Sequence, residues 1–341
     1  MMSYSEALPT PSGWFCLGVS SDFAKAEVTT RQLAGRPIVV FRTMDGKLAA
    51  LDAHCPHLGA HMGKGGRVDG ETIRCPFHGF CFDGAGVCTK TAYGSKPPVR
   101  ARARAYPVME LHGIALVYFD ATHREPSWRP DDVDMTGWSP FRFHQWTLRG
   151  HPQETTENSV DVGHFGVVHG YSNVHERAPT TFDGPHLRAQ YGFHRPTLGK
   201  RFLVRESIDV RVWGLGYSRV HVSDLSWGLD LRLLVLPTLT DVDRIELRIG
   251  LSVRDFATSP RLPALFRFLP RVASRLAARA LLRVYRHEIE QDFDIWQNKN
   301  YLDAPALARG DGPIGLYRRW ARQFYGGAVT SVAADDTVGP L

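Results

Sequence analysis

Two short stretches, residues 55–66 (CPHLGAHMGKGG) and 74–88 (RCPFHGFCFDGAGVC), decide how the N-terminal part of this chain is interpreted. Each stretch carries a Cys-Pro pair that is followed closely by a His. The two patterns are Cys55-Pro-His57 and, seventeen residues later, Cys75-Pro-Phe-His78. Thiolates bind soft metals and iron-sulfur clusters, while neutral imidazoles bind zinc and iron. The sequence therefore predicts a metal centre that two loops hold together.

Two kinds of metal centre fit this donor set. A zinc site of two Cys and two His usually places both Cys in one loop and both His in the other. Here each loop carries one Cys and one His, as a Rieske [2Fe-2S] cluster requires, because two thiolates hold one iron and two imidazoles hold the other. We favour the cluster, with Cys55 and Cys75 on one iron and His57 and His78 on the other. Zinc stays the alternative.

The composition indicates a folded chain without a disulfide framework. Of the 341 residues, 43% are hydrophobic and 22% are charged, which is enough for one large core or two medium ones. The five cysteines are an odd number, and the N-terminus lacks the basic start and apolar stretch of a signal peptide. No apolar run reaches the roughly 20 residues that a membrane span needs. We therefore expect a cytoplasmic protein with no membrane span.

The net charge of +6 does not come from a run of consecutive basic residues such as a nucleic-acid-binding tail would show. The Arg residues are scattered, and no block of five or six like charges occurs. We therefore expect no nucleic acid partner.

Turn signals divide the chain into two domains. The N-terminal part reads as short strands, such as 36–42 and 47–51, which flank the hairpin signal Asp45-Gly46. A polar segment with Pro and Trp but no periodicity then reads as a linker. The expected boundaries are 13–120 for an all-β domain, 121–140 for the linker, 141–327 for a second domain and 328–341 for a C-terminal tail.

The second domain is predicted to combine an antiparallel sheet with helices, so the fold class is α+β. Residues 202–255 alternate apolar and polar side chains, as antiparallel strands do. Residues 153–169 and 262–300 have helical spacing. In 262–300, Leu and Phe side chains are mixed with many Arg. We interpret this segment as a helix packed on the sheet, with a helix on a membrane surface as the alternative.

A second candidate metal site lies in residues 158–169 (NSVDVGHFGVVH), which contain two His and a carboxylate. Two His and one carboxylate with open positions form the facial triad of non-haem Fe(II) proteins. His164 and His169 would point about 140° apart on an ideal helix, so they converge only if the helix bulges or breaks. Gly163 and Gly166 make such a departure inexpensive.

The third ligand of this site is expected far along the chain, where residues 288–299 offer several carboxylates. Asp292 and Trp296 are one helical turn apart, so Asp292 can point inward with the Trp. Asp294 would point about 200° away from Asp292 and is the second choice. The remaining acidic side chains, which we expect to be solvated, are Glu288 and Glu290.

At the first motif the chain resembles the Rieske non-haem iron oxygenases. The two cluster stretches match the Rieske loops of the oxygenase component of that family, and so do the flanking stretches GWFCLG, LAGRPIVVFRTMDG and YPVMELHGIALVYF. Ala60 and Phe77 stand where the high-potential Rieske proteins of respiratory complexes carry an extra disulfide. The resemblance therefore implies the low-potential kind of cluster. We interpret Cys81 and Cys88, beyond the second loop, as ordinary buried thiols.

The resemblance also implies roles for the second motif. In this family the His residues at the positions of His164 and His169 are iron ligands. The Asp at the position of Asp161 links the iron His of one subunit to a Rieske His of the neighbouring subunit as an electron route. We also expect the Asp161 carboxylate to accept a hydrogen bond from the His164 imidazole, three residues further on. Asn158 fills the first position of the same family pattern.

The C-terminal stretches QDFDIWQNK (291–299) and DGPIGLYRRWARQFY (311–325) resemble bacterial 3-ketosteroid 9α-hydroxylase oxygenases. The Asp at the position of Asp292 holds iron there. This branch, together with the similar cholesterol 7-desaturases, implies a bulky, apolar substrate of steroid or sterol type.

The family implies further expectations about fold and reaction. These are a helix-grip, START-like second domain, a [2Fe-2S] cluster, a mononuclear Fe(II) and O2 as cosubstrate. Electrons would come from NAD(P)H through a ferredoxin or a flavin-dependent reductase, and the oxygenase would form a homotrimer. The expected activity is a monooxygenase that hydroxylates, desaturates or demethylates its substrate. The alternatives are an aromatic-ring oxygenase or O- or N-demethylase, and an electron-transfer Rieske protein, although a pure electron carrier has no use for the second metal site.

Overall fold

The computed structural model describes residues 8–197, 202–269 and 271–326. In these residues the strands form four sheets, and every strand pair is antiparallel. The C-terminal tail that we expect at 328–341 lies outside the described residues. No helix of the described residues is long and apolar enough to cross a membrane.

Three small sheets build the N-terminal domain. Its strands are β1 (Gly13–Val19), β2 (Val28–Leu33), β3 (Arg36–Arg42), β4 (Leu48–Asp52), β5 (Arg67–Asp69), β6 (Thr72–Arg74), β7 (Cys81–Phe82), β8 (Cys88–Lys90), β9 (Ala105–Tyr106), β10 (Val108–Leu111) and β11 (Ile114–Phe119). The sheet orders are β1-β11-β10, β2-β3-β4-β9 and β5-β6-β7-β8. The predicted hairpin is confirmed, because β3 pairs with β4 and Gly46 in the turn between them has φ +94°.

Strand β3 is nearly continuously apolar because both of its faces are buried. Val39 and Phe41 pack into the core that holds Cys55 and Cys75, whereas Ile38 and Val40 belong to the core beneath β1 and β11. The alternation of side chains along the strand thus ties the candidate cluster loops to the rest of the domain.

The second domain is built on one seven-stranded sheet with helices. Its strands are β12 (Arg142–Arg149), β13 (Ser172–Asp183), β14 (His186–Thr197), β15 (Phe202–Trp213), β16 (Tyr217–Asp224), β17 (Asp230–Asp241) and β18 (Arg244–Val253), in the sheet order β12-β18-β17-β16-β15-β14-β13. Its helices are α1 (Pro152–Glu157), α2 (Gly163–Val167), α3 (Arg271–Glu290), α4 (Phe293–Asn298) and α5 (Ile314–Ala321). Helix α3 packs against β12 and β18. The predicted α+β class, an all-β domain followed by a sheet with helices, is confirmed.

Two of the predicted helices are interrupted. The segment 153–169 is divided into α1 and α2, with a turn at 158–162. The segment 262–300 contains a short 3-10 helix at Ala264–Phe268, then α3, and a further interruption at Gln291 and Asp292 before α4. Periodicity alone does not show such breaks, because each piece keeps helical spacing. Strands β13 and β14 were not predicted. The residues of β13 are largely exposed and polar, which conceals an alternation there. Strand β14 does alternate, with Leu187, Ala189, Tyr191 and Phe193 buried, and this pattern was the available signal.

The two domains share an apolar interface. Trp14 and Ile114 of the first domain pack in one buried cluster with Trp213 and Tyr217 of the second. The backbone of Cys16 and the hydroxyl of Thr238 exchange two hydrogen bonds, at 3.1 and 2.9 Å. Between Phe119 and Arg142 the chain forms no helix or strand.

Candidate metal centres

The two Cys-His loops of the N-terminal domain have matching backbones. In the first loop the N–H of Cys55 donates to the Ala60 carbonyl, and the N–H of Gly59 donates back to Cys55, both at 2.9 Å. In the second loop Cys75 and Gly79 make the equivalent bonds, to Phe80 at 2.8 Å and to Cys75 at 3.1 Å. Both glycines have φ near +70°, a conformation that is strained for other residues. Each loop therefore folds back at its glycine and presents its Cys and His together.

These loops bring the four predicted cluster ligands to one place. The imidazole rings of His57 and His78 lie 4.7 Å apart, centroid to centroid, and His57 stacks on Phe80 at 4.3 Å. Cys55 and Cys75 are buried in the same core. Burial raises the pKa of the Cys55 thiol to about 11, with a contribution from the neighbouring Cys75 thiol. Two buried thiols beside two imidazoles fit a metal cluster, whose positive charge would stabilise the thiolates.

Cys81 and Cys88 have backbone partners of their own, although Cys88 lies in the same core as Cys55 and Cys75. All five cysteines are free, so no disulfide links the loops. The thiols of Cys81 and Cys88 are buried and donate to the backbone oxygens of Gly79 and Lys90, at 3.5 and 3.4 Å. Their satisfied backbone contacts agree with the interpretation as ordinary buried thiols.

The second domain brings His164, His169 and Asp292 together. One ligand atom from each lies within 4.8 Å of the others. The two imidazole rings are 5.2 Å apart, and Nε2 of His169 is 3.7 Å from Oδ2 of Asp292. The two His converge because α2 ends at Val167, so that His169 lies beyond the helix and does not follow its spacing. The expected departure from an ideal helix is thus confirmed.

Neighbouring groups orient the two imidazoles. Nδ1 of His164 lies 2.6 Å from the backbone oxygen of Asp161, and Nδ1 of His169 lies 3.0 Å from Oε1 of Gln291. When each Nδ1–H donates to an oxygen, Nε2 of the ring is left free for a metal. Gln291 was not among the predicted site residues, and its position directly before Asp292 was the available signal.

The contact between Asp161 and His164 differs from our expectation. The imidazole bonds the backbone oxygen of Asp161, and the carboxylate lies 3.6 Å from Nδ1. The carboxylate instead accepts from the backbone N–H of His164 at 3.2 Å, because residue 161 precedes the first turn of α2. Burial raises the pKa of the Asp161 carboxyl, but its interactions with His164 outweigh burial and lower it overall.

Asp292 and Asp294 lie in different environments, but not for the reason that the sequence suggested. Asp292 is buried, whereas Asp294 is exposed. They are not on one continuous helix, because Asp292 occupies the break between α3 and α4 and precedes the first residue of α4. Burial raises the pKa of the Asp292 carboxyl, and His169, His164 and a hydrogen bond from Asn158 oppose this effect. A metal ion beside this carboxyl would further favour its charged form.

Our expectation that Glu288 is solvated is wrong. Its carboxylate accepts from the guanidinium of Arg195 at 2.9 Å and from the hydroxyl of Tyr171 at 3.1 Å. Arg195 also pairs with buried Glu206 at 2.7 Å. The misassignment arose because helical position alone cannot reveal a cation on a strand 93 residues earlier. Glu290 is half-exposed and accepts from Nε1 of Trp146 at 3.0 Å.

An apolar cavity of about 170 Å³ opens beside the second site. Its polar lining includes Asn158, His164 and Asp292. The apolar lining comes mainly from the sheet and the helices, namely Phe165, Ile208, Val210, Val220, Val235, Leu247, Ile249, Ile289 and Trp296. Other large apolar residues of this region do not line the cavity, because Trp213 and Leu234 pack between the domains and Trp227 is exposed.

Comparisons with known proteins agree with the two sites. Residues 13–106 match the family model of the Rieske [2Fe-2S] domain, and residues 117–325 match that of the 3-ketosteroid 9alpha-hydroxylase C-terminal domain. A probable 3-ketosteroid-9-alpha-monooxygenase, oxygenase component, of Rhodococcus rhodochrous is 30% identical over 333 residues, which span 92% of this chain and 79% of the relative. A cholesterol 7-desaturase of Ciona intestinalis is 29% identical over 340 residues, spanning 92% and 68%.

Solved structures share the fold at lower identity. The crystal structure of dicamba monooxygenase bound to 3,6-dichlorosalicylic acid superposes with a TM-score of 0.70 at 18% identity, covering 92% of this chain and 96% of that one. At this identity the similarity supports the arrangement of the two domains and says nothing of the substrate.

Proposed function

The chain belongs to the Rieske oxygenases that carry a 3-ketosteroid 9alpha-hydroxylase C-terminal domain, and we propose that its substrate is a bulky, apolar molecule of steroid or sterol type. It is the oxygenase component of an O2-dependent system. The observation that carries the substrate proposal is the apolar cavity that reaches His164 and Asp292. The relatives with steroid- and sterol-oxidising names support the same class.

The proposed cluster ligands are Cys55, His57, Cys75 and His78, and the proposed iron ligands are His164, His169 and Asp292. The cluster supplies single electrons, and the mononuclear iron supplies the chemistry of O2 activation. Two neutral imidazoles and one carboxylate suit Fe(II) and leave positions open. The close approach of the three candidate ligand atoms supports this assignment.

The neighbouring side chains hold these groups in place. Gln291 accepts from Nδ1–H of His169, so this imidazole keeps one orientation, and Asn158 interacts with the Asp292 carboxyl and favours its charged form. Asp161 stays ionised at neutral pH because its pKa is lowered, and we propose that its carboxylate connects His164 electronically to the cluster of a neighbouring subunit. The apolar walls exclude water from the reacting end of the substrate.

The cavity also bears on how the substrate enters. Its 170 Å³ is smaller than the roughly 300 to 1,000 Å³ of pockets that enclose a drug-sized ligand. We therefore expect the walls to move apart when a polycyclic substrate binds. Ser218, buried on β16 among apolar neighbours, offers a hydroxyl to an oxygen of such a substrate.

The proposed partners are a ferredoxin, a flavin-dependent reductase or both, which deliver electrons from NAD(P)H. The electron route through Asp161 requires a neighbouring subunit, so we propose a homotrimer that forms a closed ring. The cytoplasmic location stays a prediction from the sequence.

The proposed function is tested by product analysis with a surrogate reductase, ferredoxin and NADH. Steroids, sterols and aromatic acids serve as the substrate panel, and mass spectrometry distinguishes a gained oxygen atom from a loss of hydrogen or of a methyl group. We expect product from the steroid or sterol arm. Turnover of the aromatic arm alone would contradict the substrate class. Iron analysis separates the oxygenase, with about three irons per chain, from an electron carrier with two.

A further inference from the structure

The stretch from Phe256 to His287, called here the arginine-rich segment, combines concentrated positive charge with exposed apolar side chains. It contains seven Arg and no Asp or Glu. Its first part, before helix α3, exposes 77% of the Leu265 side chain and 88% of Phe268, and Phe266 and Leu269 are also exposed. Surface apolar residues usually occur singly, and a cluster of them marks an interaction site.

Helix α3, which follows in the chain, has a buried row on one side and an exposed apolar row on the other. Ser274, Ala278, Leu282 and Tyr285 are buried and hold the helix to the domain. Positions two residues before or after a buried residue of this stripe point to the opposite side of the helix. They form a row of four exposed apolar residues, namely Val272, Leu276, Ala280 and Val284. A helix that is already packed on a sheet does not need this second apolar row for folding.

Arginines follow the exposed apolar row along the helix. Arg275, Arg279 and Arg283 are each one turn apart and exposed. Arg261, Arg271 and Arg286 lie near carboxylates, and Arg271 is 3.7 Å from Asp255. Among the described residues, no ion pair includes Arg275, Arg279 or Arg283. These three cations are therefore available to an anionic partner.

An adjacent turn adds further apolar side chains to the same end of the domain. The hydroxyl of Ser259 donates to the Gly228 carbonyl at 3.3 Å, and Arg261 pairs with Asp230 at 3.3 Å. These contacts hold the turn between β16 and β17 against the start of the arginine-rich segment. Trp227 and Leu225 of this turn are both exposed.

We propose that the arginine-rich segment docks on the surface of an anionic lipid bilayer, with the apolar side chains inserted at the headgroup level and the Arg side chains among the lipid phosphates. Helices of this composition lie in the membrane interface rather than span it. A bilayer accepts protruding side chains without a complementary groove. A symmetric contact between two copies is disfavoured, because it would bring two acid-free, Arg-rich surfaces together. The proposal does not depend on which substrate the enzyme oxidises.

The test is cosedimentation of the holoenzyme with phosphatidylcholine vesicles, with and without phosphatidylglycerol, at low and high salt. We expect binding to the phosphatidylglycerol vesicles that weakens as salt rises. Each Arg near an anionic leaflet contributes about fivefold to partitioning, so Arg275→Gln combined with Arg279→Gln should reduce binding about 25-fold. Leu265→Ser combined with Phe268→Ser should also reduce it. The matched control is Val242→Ser combined with Met44→Ser, two exposed apolar residues in other turns, which should bind like wild type.

Several outcomes would overturn the proposal. One is that the wild type does not bind the phosphatidylglycerol vesicles at low salt. Another is that the wild type binds these vesicles no better than the two patch variants, which are Arg275→Gln with Arg279→Gln and Leu265→Ser with Phe268→Ser. A third is that the patch variants bind vesicles like the wild type but differ from it in oligomeric mass, measured by sedimentation velocity. The surface would then join copies of the chain. If the patch variants lose reductase-driven turnover but bind vesicles like the wild type, the surface binds an acidic protein partner instead. Because the substituted residues are exposed, the variants should fold, and the visible absorbance of the cluster verifies this.

Discussion

Arg195→Met is expected to destabilise the second domain strongly, whereas Arg188→Met, on the same strand, should cost little. Both Arg lie on β14 and pair with a carboxylate on β15, Arg195 with Glu206 at 2.7 Å and Arg188 with Asp209 at 2.7 Å. The two pairs differ in burial, because the Arg195 side chain is 10% exposed and that of Arg188 is 45% exposed. Arg195 also neutralises Glu288.

The magnitude follows from this difference. Removing one partner of a buried ion pair costs about 3–5 kcal/mol, because the remaining charge stays buried without compensation. Here two carboxylates, Glu206 and Glu288, would lose their shared cation. An exposed pair such as Arg188 with Asp209 contributes about 0–1 kcal/mol. We therefore expect a difference of at least about 2 kcal/mol between the two variants.

The pH dependence separates lost charge pairing from lost packing. Burial already raises the pKa of Glu206, and Arg195 opposes this effect. In Arg195→Met the folded-state pKa of Glu206 rises further above its unfolded value of about 4.3. Between these two pKa values the folded state binds more protons than the unfolded state. The destabilisation is then small below about pH 4 and grows as the pH rises toward 7. A loss of packing alone would be independent of pH.

The assay is urea unfolding of both variants and the wild type at pH 5 and pH 7, followed by tryptophan fluorescence. Mononuclear iron content is measured in parallel. The iron content should fall in Arg195→Met, because Glu288 then loses its cation. Glu288 lies four residues before Asp292 and accepts a hydrogen bond from Tyr171, which is two residues after His169. Equal midpoints for the two variants, or a pH-independent loss in Arg195→Met, would refute the reasoning.

The remaining predictions concern the two metal centres. Asp292→Ala should remove the mononuclear iron and product formation while the Rieske absorbance stays. Asp294→Ala, at an exposed position, should keep the iron and change stability by no more than about 0.5 kcal/mol. The reverse iron contents would show that Asp294 is the ligand. Cys75→Ala should abolish the visible cluster absorbance and Cys81→Ala should keep it, and an unchanged spectrum of the first variant would defeat the cluster assignment. Asp161→Asn should retain both metals yet slow single-turnover O2 reduction by orders of magnitude, whereas loss of iron from this variant would make Asp161 a ligand.

The sequence by itself was sufficient for features that depend on local spacing and residue chemistry. The alternation of apolar and polar residues identified β15 to β18, and the Asp45-Gly46 pair identified the β3–β4 hairpin, because strand pairing across a short turn involves neighbours in the chain. Paired Cys-Pro and His residues likewise indicated a cluster, since thiolate and imidazole preferences belong to the residue types themselves.

The tertiary structure decided which distant side chains meet. Periodicity placed Asp292 on a continuous helix, while the structure buries it at the break between α3 and α4. Glu288 has the local pattern of a solvated residue, yet Arg195, on a strand 93 residues earlier, lies 2.9 Å from it. A buried charge is tolerated only where a partner compensates it. That partner is supplied by the packing of α3 against the sheet, which no local pattern of the sequence contains.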